Sequence, residues 1–215
     1  MLTNHRNDQL YLIGVREQAI SDGRSQVTFF TTRSDLVAYT RICRGMRQAV
    51  IMLGGDDENG LDSEFNSAAR ELENLGIGSV QLDYRCPGDY AQCAIDALLA
   101  CQYLDDEGIS DVVLVGWSFG AEVALAAGSV ARIVRGVAAI SPWDVSELSS
   151  RRMCGKQLLL MREDAENICF IDNDGRELPK TRHQIRNDLV QWIHNVFGST
   201  RSAESASSTY ASLAR

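Results

Sequence analysis

From residue 49 onward, short apolar runs alternate with segments whose apolar residues recur at helical spacing. A run of about five apolar residues bounded by turn formers indicates a buried strand, and alternation of such strands with helices is typical of βαβ units around a parallel sheet. The buried runs are 49–53, 79–83, 111–115, 136–141 and 157–161. The chain therefore predicts an α/β fold, with a mostly parallel twisted sheet and helices on both faces.

Four segments carry the helical pattern, and three short β-type runs precede the first of the buried strands. The helical segments are 65–75, 90–104, 121–130 and 185–196. The early runs are Leu10–Val15, Gln26–Thr31 and Leu36–Cys43, with a turn at Ser21-Asp22-Gly23 between the first two. We expect these runs to form antiparallel strands on one edge of the sheet.

The charge balance argues against a polyanionic partner. In 215 residues, 29 acidic and 21 basic side chains give a net charge of −8, and the basic residues are scattered rather than clustered. We therefore expect no nucleic-acid partner. We also expect no metal and no cofactor, because the six cysteines contain no C-x-x-C pair and the loop after residue 53 has neither a dinucleotide-binding motif nor a P-loop.

The two ends of the chain are polar. Residues 1–8 lack the apolar stretch of a secretory signal, and no later apolar run approaches membrane-spanning length, so we expect a cytoplasmic protein that makes no membrane contact. Residues 199–215 hold six serines in seventeen positions and few large apolar groups. The sequence predicts one domain over 1–198 and a disordered tail over 199–215, which cannot bury enough surface to offset its ordering entropy.

One pentapeptide, Gly116-Trp117-Ser118-Phe119-Gly120, joins the strand at 111–115 to an Ala-rich helical segment. In a nucleophile elbow, a serine occupies a strained turn between a strand and a helix, and glycines flank it because side chains there would collide with neighbouring elements. This setting predicts that the Ser118 hydroxyl lies at the carboxyl end of the sheet, beside a helix N-terminus that favours negative charge.

Two backbone N–H groups are expected to form an oxyanion hole beside Ser118. The first belongs to Phe119, the residue directly after the serine. The second should come from the loop after the strand at 49–53, where Gly54-Gly55-Asp56 allows close backbone approach. We nominate the N–H of Gly55 or that of Asp56.

Four motifs, in this order along the chain, resemble the α/β-hydrolase family and within it the small, lidless members similar to dienelactone hydrolases and carboxylesterases. The motifs are Gly54-Gly55, Leu82-Asp83-Tyr84-Arg85, Gly116-Trp117-Ser118-Phe119-Gly120 and Ile140-Ser141-Pro142. The resemblance covers roughly residues 26–198. It implies the α/β-hydrolase fold and a catalytic triad in the chain order serine, acid, histidine, with Ser118 as nucleophile.

The resemblance further implies that His183, which directly precedes the last helical segment, is the catalytic base. A serine hydroxyl needs an imidazole to accept its proton at neutral pH. The chain has two other histidines: His5 precedes the sheet, and His194 lies within the last helical segment, where a solvated helix face accounts for it.

Three carboxylates are candidates for the acid that orients the base. In the family the acid follows the strand that we place at 157–161, and Asp164 and Glu166 both lie in that turn. Asp144, after Pro142, is a third candidate because some relatives place the acid one strand earlier. The sequence leaves the choice among them open.

The C-terminal part is shorter than the family pattern, because residues 166–183 hold too few positions for a helix and a final strand. Residues 161–170 can instead be read as a hairpin around Asp164–Asn167, followed by a turn at Asn173-Asp174-Gly175. Such hairpins would replace the last parallel strands and leave it open whether His183 reaches Ser118.

Two functions follow from these predictions. The first is a serine hydrolase that cleaves a small soluble ester or thioester through an acyl-enzyme intermediate. About a dozen residues, 144–156, separate the last two predicted parallel strands, which is too few for a lid and argues against a lipase acting at a lipid surface. The alternative is a catalytically inactive protein of the same fold that binds a ligand or partner through the same pocket.

Overall fold

In the computed structural model, residues 10–54, 61–142, 156–163, 168–171, 177–180, 184 and 186–199 are described. Their strands are β1 (Leu12–Ala19), β2 (Ser25–Thr31), β3 (Leu36–Arg41), β4 (Gln48–Leu53), β5 (Gly78–Asp83), β6 (Asp111–Trp117), β7 (Val134–Ile140), β8 (Gln157–Glu163), β9 (Ile168–Ile171) and β10 (Glu177–Lys180). Their helices are α1 (Leu61–Asn74), α2 (Tyr90–Asp106), α3 (Phe119–Val130) and α4 (186–199). These strands form one sheet in the order β1-β2-β3-β5-β4-β6-β7-β8-β9-β10.

The centre of the sheet is parallel. Strands β5, β4, β6, β7 and β8 are neighbours in that order, and each pairs in parallel with the next. Every residue of β4 is buried, as are the first six of β6. Strands covered on both faces need such continuous apolar runs instead of an alternation of apolar and polar residues. The predicted α/β fold class is confirmed.

The N-terminal strands form the antiparallel edge that the sequence predicts, although β1 reaches further than expected, to Ala19 instead of Val15. The extension follows from a tight turn in which Asp22 and Gly23 both have positive φ, 56° and 70°. A turn of this kind matches the twist of the strands and extends backbone pairing with β2 through polar, exposed residues. Backbone pairing, not side-chain burial, therefore sets the length of β1.

The C-terminal end of the sheet carries two antiparallel pairings. Met161 of β8 lies opposite Phe170 of β9, and Ile171 of β9 lies opposite Glu177 of β10. The hairpin reading of residues 161–170 is therefore confirmed. The reason is connection length, because parallel neighbours need a crossover of a dozen or more residues, whereas a few residues are enough to join antiparallel ones.

Helices cover both faces of the sheet, as predicted. Helices α2 and α3 pack over one apolar cluster, which includes Ile51 and Leu114, and α1 and α4 pack over the other, which includes Val50 and Val113. Adjacent strand residues thus face opposite layers, because side chains alternate along a strand.

Within the described segments, no helix has both the length and the apolar character needed to cross a membrane. Of the tail predicted over 199–215, residues 200–215 lie outside the described residues. Ser199 is instead the last residue of α4, and its hydroxyl donates to the carbonyl oxygen of Asn195 at 2.9 Å.

Candidate active site

Ser118 occupies the single position between the last residue of β6 and the first residue of α3. Its backbone has φ 52° and ψ −121°, and its side chain is half-buried. A positive φ in a non-glycine residue is strained and costs about 1–3 kcal/mol, so it persists only where the surrounding structure imposes it. The strain arises because the chain must reverse from strand to helix within one residue.

The two flanking glycines are required by close packing. A β-carbon at Gly116 would overlap the carbonyl group of Gly120 and lie 2.6 Å from the Cα of Ala121. A β-carbon at Gly120 would overlap the carbonyl oxygens of Leu53 and Gly54. The first turn of α3 therefore rests directly on the strand end of β6 and on the backbone at the end of β4.

The N–H groups around the turn have different partners. The N–H of Ser118 donates to the carbonyl oxygen of Ile140 at 2.8 Å, and the N–H of Ala121 donates to the carbonyl oxygen of Ser118 at 2.9 Å. Phe119 begins α3, and the first N–H groups of a helix have no acceptor within that helix. Among the described residues, the Phe119 N–H therefore has no backbone carbonyl partner.

The loop predicted to supply the second oxyanion donor begins next to this turn. Gly54, the last described residue of that loop, brings its carbonyl oxygen against the Cα of Gly120, one residue beyond Phe119. Gly55 and Asp56 lie outside the described residues. The loop that is predicted to supply the second oxyanion donor therefore begins in direct contact with the first turn of α3.

The other side of Phe119 packs on the segment that follows β5. The rings of Tyr84 and Phe119 meet edge to face, with centroids 6.3 Å apart and an interplanar angle of 89°. Phe119 is 8% exposed, so its aromatic ring is fixed in the core beneath the serine turn. The Phe119 ring is therefore held against the segment that carries Tyr84.

A buried ion pair anchors the segment that carries Tyr84. Asp96, in the middle of α2, accepts from the Arg85 Nε at 2.5 Å and from the Arg85 backbone N–H at 3.0 Å, and the two side chains are 0% and 1% exposed. Burial raises the pKa of the Asp96 carboxyl above its ordinary value, and the hydrogen bonds and charge of Arg85 offset only part of this rise. The bidentate arrangement holds Arg85, and with it the preceding tyrosine, against α2.

We did not predict this ion pair from the sequence, although the sequence carries a signal for it. Asp96 stands inside the apolar run Ala94-Ile95-Asp96-Ala97-Leu98. A carboxylate on the buried face of a helix is rare unless a cation pairs with it. The arginine that could pair with it ends the motif at 82–85, so the pair could have been proposed from the sequence.

Ser118 and Phe119 therefore lie at the carboxyl end of the parallel strand β6. His183, Asp164, Glu166 and Asp144 lie outside the described residues, and their roles remain predictions. His194 is exposed on α4, which agrees with the solvated helix face expected for it. Among the described side chains, no group of three or more His, Cys, Asp or Glu residues could hold a metal ion.

No protein-family model matches this chain, and no curated protein matches it in sequence. Solved structures do share its fold. A protein from Thermoplasma acidophilum described as a predicted CIB-like hydrolase is similar over 85% of this chain and 100% of its own, at 13% identity and a TM-score of 0.54. An acetyl xylan esterase from Paenibacillus sp. R4 is similar over 67% of this chain and 58% of its own, at 16% identity and a TM-score of 0.50.

The chain spans little more than half the length of the esterases it resembles. It covers 58% of the Paenibacillus enzyme and 52% of the esterase Pf2001 from Pyrococcus furiosus, with which it shares 23% identity over 55% of its own length at a TM-score of 0.47. At such identities the likeness establishes the fold alone.

Proposed function

We propose that this chain, which has the α/β-hydrolase fold, is a serine hydrolase that cleaves small soluble esters or thioesters through an acyl-enzyme intermediate. The observation that carries the proposal is the strained backbone of Ser118, with φ 52°, between β6 and the first turn of α3. Such strain concentrates at functional positions. A strand-to-helix turn without a chemical role could place glycine there at no conformational cost.

In the proposed reaction, Ser118 Oγ attacks the carbonyl carbon of the bound ester, and His183 accepts the hydroxyl proton. The tetrahedral intermediate collapses, the bond to the alcohol or thiol breaks, and His183 returns the proton to the leaving group. A water molecule, deprotonated by His183, then attacks the acyl carbon, which releases the carboxylic acid and restores Ser118.

The Phe119 N–H is the proposed first donor to the oxyanion, and the N–H of Gly55 or Asp56 is the proposed second. The first assignment is supported by the position of Phe119 at the start of α3, and the second by the contact between Gly54 and Gly120. Such prearranged donors stabilise the charge that develops on the substrate oxygen in the transition state.

His183 is the proposed base because its place in the chain, shortly before α4, matches the position of the base in the α/β-hydrolase pattern. It lies three positions before Arg186, at which the continuous described part of α4 begins. A β-carbon at Gly136, near the start of β7, would lie 3.0 Å from the Trp192 ring and 3.4 Å from Val196 Cγ1, so α4 packs against β7.

The acid that would orient His183 comes from one of two strand ends. Asp164 and Glu166 follow β8, which ends at Glu163, and Asp144 follows the end of β7. Both strands lie on the same side of β6 in the sheet. Measuring kcat in Asp164→Asn, Glu166→Gln and Asp144→Asn identifies the acid as the variant with the largest loss.

The choice of ester chemistry is supported by the names of the two structures that share the fold, one a predicted hydrolase and the other an acetyl xylan esterase. A fluorophosphonate probe, which reacts with activated serines, tests the proposal directly. We expect labelling of the native protein, no labelling of Ser118→Ala, and unchanged labelling of Ser129→Ala, whose hydroxyl donates to the Ala126 carbonyl oxygen on α3.

Hydrolysis of p-nitrophenyl esters of increasing acyl length then defines the substrate class. We expect His183→Ala to lower kcat by about 10⁴-fold and His194→Ala, on the exposed face of α4, to leave it unchanged. Equal labelling of the native protein and Ser118→Ala, or normal turnover by His183→Ala, would contradict the proposed mechanism.

The second candidate is a protein of this fold that binds a ligand or partner without catalysis. The observation that favours it is the antiparallel addition of β9 and β10 at the edge of the sheet, directly beside β8, the strand that precedes Asp164 and Glu166. If the folded native protein takes up no probe and hydrolyses no ester, this function replaces the first.

A further inference from the structure

The outward side of α2 carries an apolar stripe. The inner side of this helix packs on the sheet, and the outward positions of a surface helix normally hold charged or polar residues. Here they hold Ala91, Ala94, Ile95, Leu98 and Leu99, which are all exposed or half-buried. Within Tyr90–Leu104 the only charged residue is Asp96, which is buried in its pair with Arg85. Exposed apolar surface of this kind marks a contact with another molecule. We call these five residues the α2 stripe.

Helix α1, on the opposite face of the sheet, has a different outward side. Its outward positions include Arg70, Glu71 and Glu73, which are exposed or half-buried, and Arg70 is 62% exposed. Both helices cover the same buried strands with their inner sides. Packing on the sheet therefore does not by itself require the apolar outward side of α2.

A groove of about 190 Å³ adjoins the α2 stripe near the end of the helix. Leu98 and Asp105 line it from α2, and Arg132 and Ile133 line it from the segment between α3 and β7. The two apolar residues are half-buried, and the two charged residues are exposed. Val130, the last residue of α3, directly precedes that segment and is 56% exposed. The groove thus combines apolar surface with one acidic and one basic side chain.

Asp105 and Arg132 carry opposite charges on the two sides of this groove. Within the described part of the chain, neither side chain has a hydrogen-bond or ion-pair partner. In a symmetric dimer each contact between two residues occurs twice, because the two copies exchange roles. A two-fold axis that runs along the groove, between these residues, would bring Asp105 of each copy to Arg132 of the other. The groove is therefore complementary in charge to a second copy of itself.

We propose that the α2 stripe and the adjoining groove form the interface of a homodimer, in which Asp105 of each copy pairs with Arg132 of the other. The same rotation carries Val130 of each copy onto α2 of the other. A space of about 150 Å³ can hold a benzene ring, so the groove has room for a valine side chain. The interface does not depend on the proposed hydrolase activity.

The net charge of the chain favours this face over others. Two copies that each carry a charge of −8 repel one another, and the repulsion is smallest where the surfaces that meet are uncharged or complementary. The α2 stripe has no charged member, and the groove beside it offers one charge of each sign. A second copy therefore meets less repulsion here than on the charged outward side of α1.

The size of the face sets the expected affinity. At a rise of 1.5 Å per residue, the 17 residues of α2 extend about 25 Å, and α3 lies beside this helix. A face of this length and the width of two helices is at the lower end of the sizes of specific protein interfaces. We therefore expect a dissociation constant in the micromolar range.

Sedimentation equilibrium of the 215-residue chain from about 1 to 200 μM covers this range and should show a reversible equilibrium between monomer and dimer. Arg132→Glu places two acidic side chains at each contact, and Asp105→Lys places two basic ones. Because the contact occurs twice in each dimer, either variant should dimerise about 10- to 100-fold more weakly than the native chain.

A mixture of these two variants distinguishes the symmetric contact from a general effect of charge. In a dimer of Asp105→Lys with Arg132→Glu, the introduced lysine faces the introduced glutamate. At the second contact, the native Arg132 of the first variant faces the native Asp105 of the second. Both contacts again join opposite charges, so the equimolar mixture should dimerise about as strongly as the native chain, although neither variant does so alone.

The matched control is Arg70→Glu, which makes the same change of charge on the outward side of α1 and should dimerise as the native chain does. Circular dichroism checks that each variant folds. If a charge variant does not fold, Val130→Ser at the 56% exposed position should weaken dimerisation by about tenfold instead. A native chain that stays monomeric at the highest concentration would overturn the proposal and would mean that another segment or another protein covers the α2 stripe. A mixture that dimerises no better than its components would overturn it as well.

Discussion

The Ser118 N–H donates a 2.8 Å hydrogen bond to the carbonyl oxygen of Ile140, the last residue of β7. This bond continues the ladder between β6 and β7 past the end of β6, so the strained serine is held by the neighbouring strand. It also occupies the serine's own N–H. The neighbouring strand β7 therefore helps to hold the strained backbone of Ser118 in place.

Relief of this strain should be measurable as a stability difference. At φ 52°, glycine fits without a steric penalty, so we expect Ser118→Gly to be more stable than Ser118→Ala by about 1 kcal/mol, although both lose the hydroxyl. Urea unfolding measures the difference. The matched pair is Ser129→Gly and Ser129→Ala within α3, where the order should reverse because glycine disfavours helix. Equal stability of the two Ser118 variants would mean that the turn is not strained.

Gly120→Ala should disrupt the junction between α3 and β4. The new methyl group would overlap the carbonyl oxygens of Leu53 and Gly54, so backbone must move. We expect the unfolding free energy to fall by about 1–3 kcal/mol and kcat/KM for an ester substrate to fall by about 10²-fold, since the proposed oxyanion donors would move with the backbone. Gly198→Ala on α4, where a methyl group meets nothing within 4 Å, should keep native activity. Native activity in Gly120→Ala would contradict the packing.

Asp96→Asn should be strongly destabilising because it leaves Arg85 buried without a countercharge. We expect a loss of about 3–5 kcal/mol in unfolding free energy, measured by urea denaturation. Arg70→Gln breaks an ion pair whose side chains are 62% and 64% exposed, and its effect should stay within about 1 kcal/mol. A small effect of Asp96→Asn would mean that the buried pair does not anchor the segment after β5.

Tyr103 should contribute to alkaline unfolding. Burial, with smaller contributions from Glu17 and Glu107, raises the pKa of its phenol from 10.0 to about 12. A group with a raised pKa in the folded state contributes stability below its ordinary pKa and loses it as the pH rises toward the folded value. Between pH 9 and pH 11, the native protein should therefore lose about 1 kcal/mol more than Tyr103→Phe.

Urea unfolding at a series of pH values measures this difference, and near pH 8 the two proteins should respond to pH in parallel. The comparison uses the change of the unfolding free energy with pH. A constant difference in stability between the two proteins at neutral pH therefore does not affect it. Parallel curves up to pH 11 would show that the phenol ionises equally in the folded and unfolded chain.

The sequence by itself determined the layered α/β architecture. The unbroken apolar runs of β4 and β6 match only strands covered on both faces, and the spacing of apolar residues in α1 and α2 matches helices with one buried side. It also placed Ser118 between a strand and a helix, because the motif and its two neighbouring elements are contiguous. These are local properties, which neighbouring residues encode directly.

Only the tertiary structure decided what depends on residues distant in sequence. The left-handed backbone of Ser118 requires β7 beside it, and the need for glycine at 120 arises from the end of β4, sixty-six residues earlier at Gly54. The Arg85–Asp96 pair likewise forms where separate elements pack together. The energy of a buried charge or of a close contact depends on which residues are neighbours in three dimensions. The pattern of residues along the chain does not specify those neighbours.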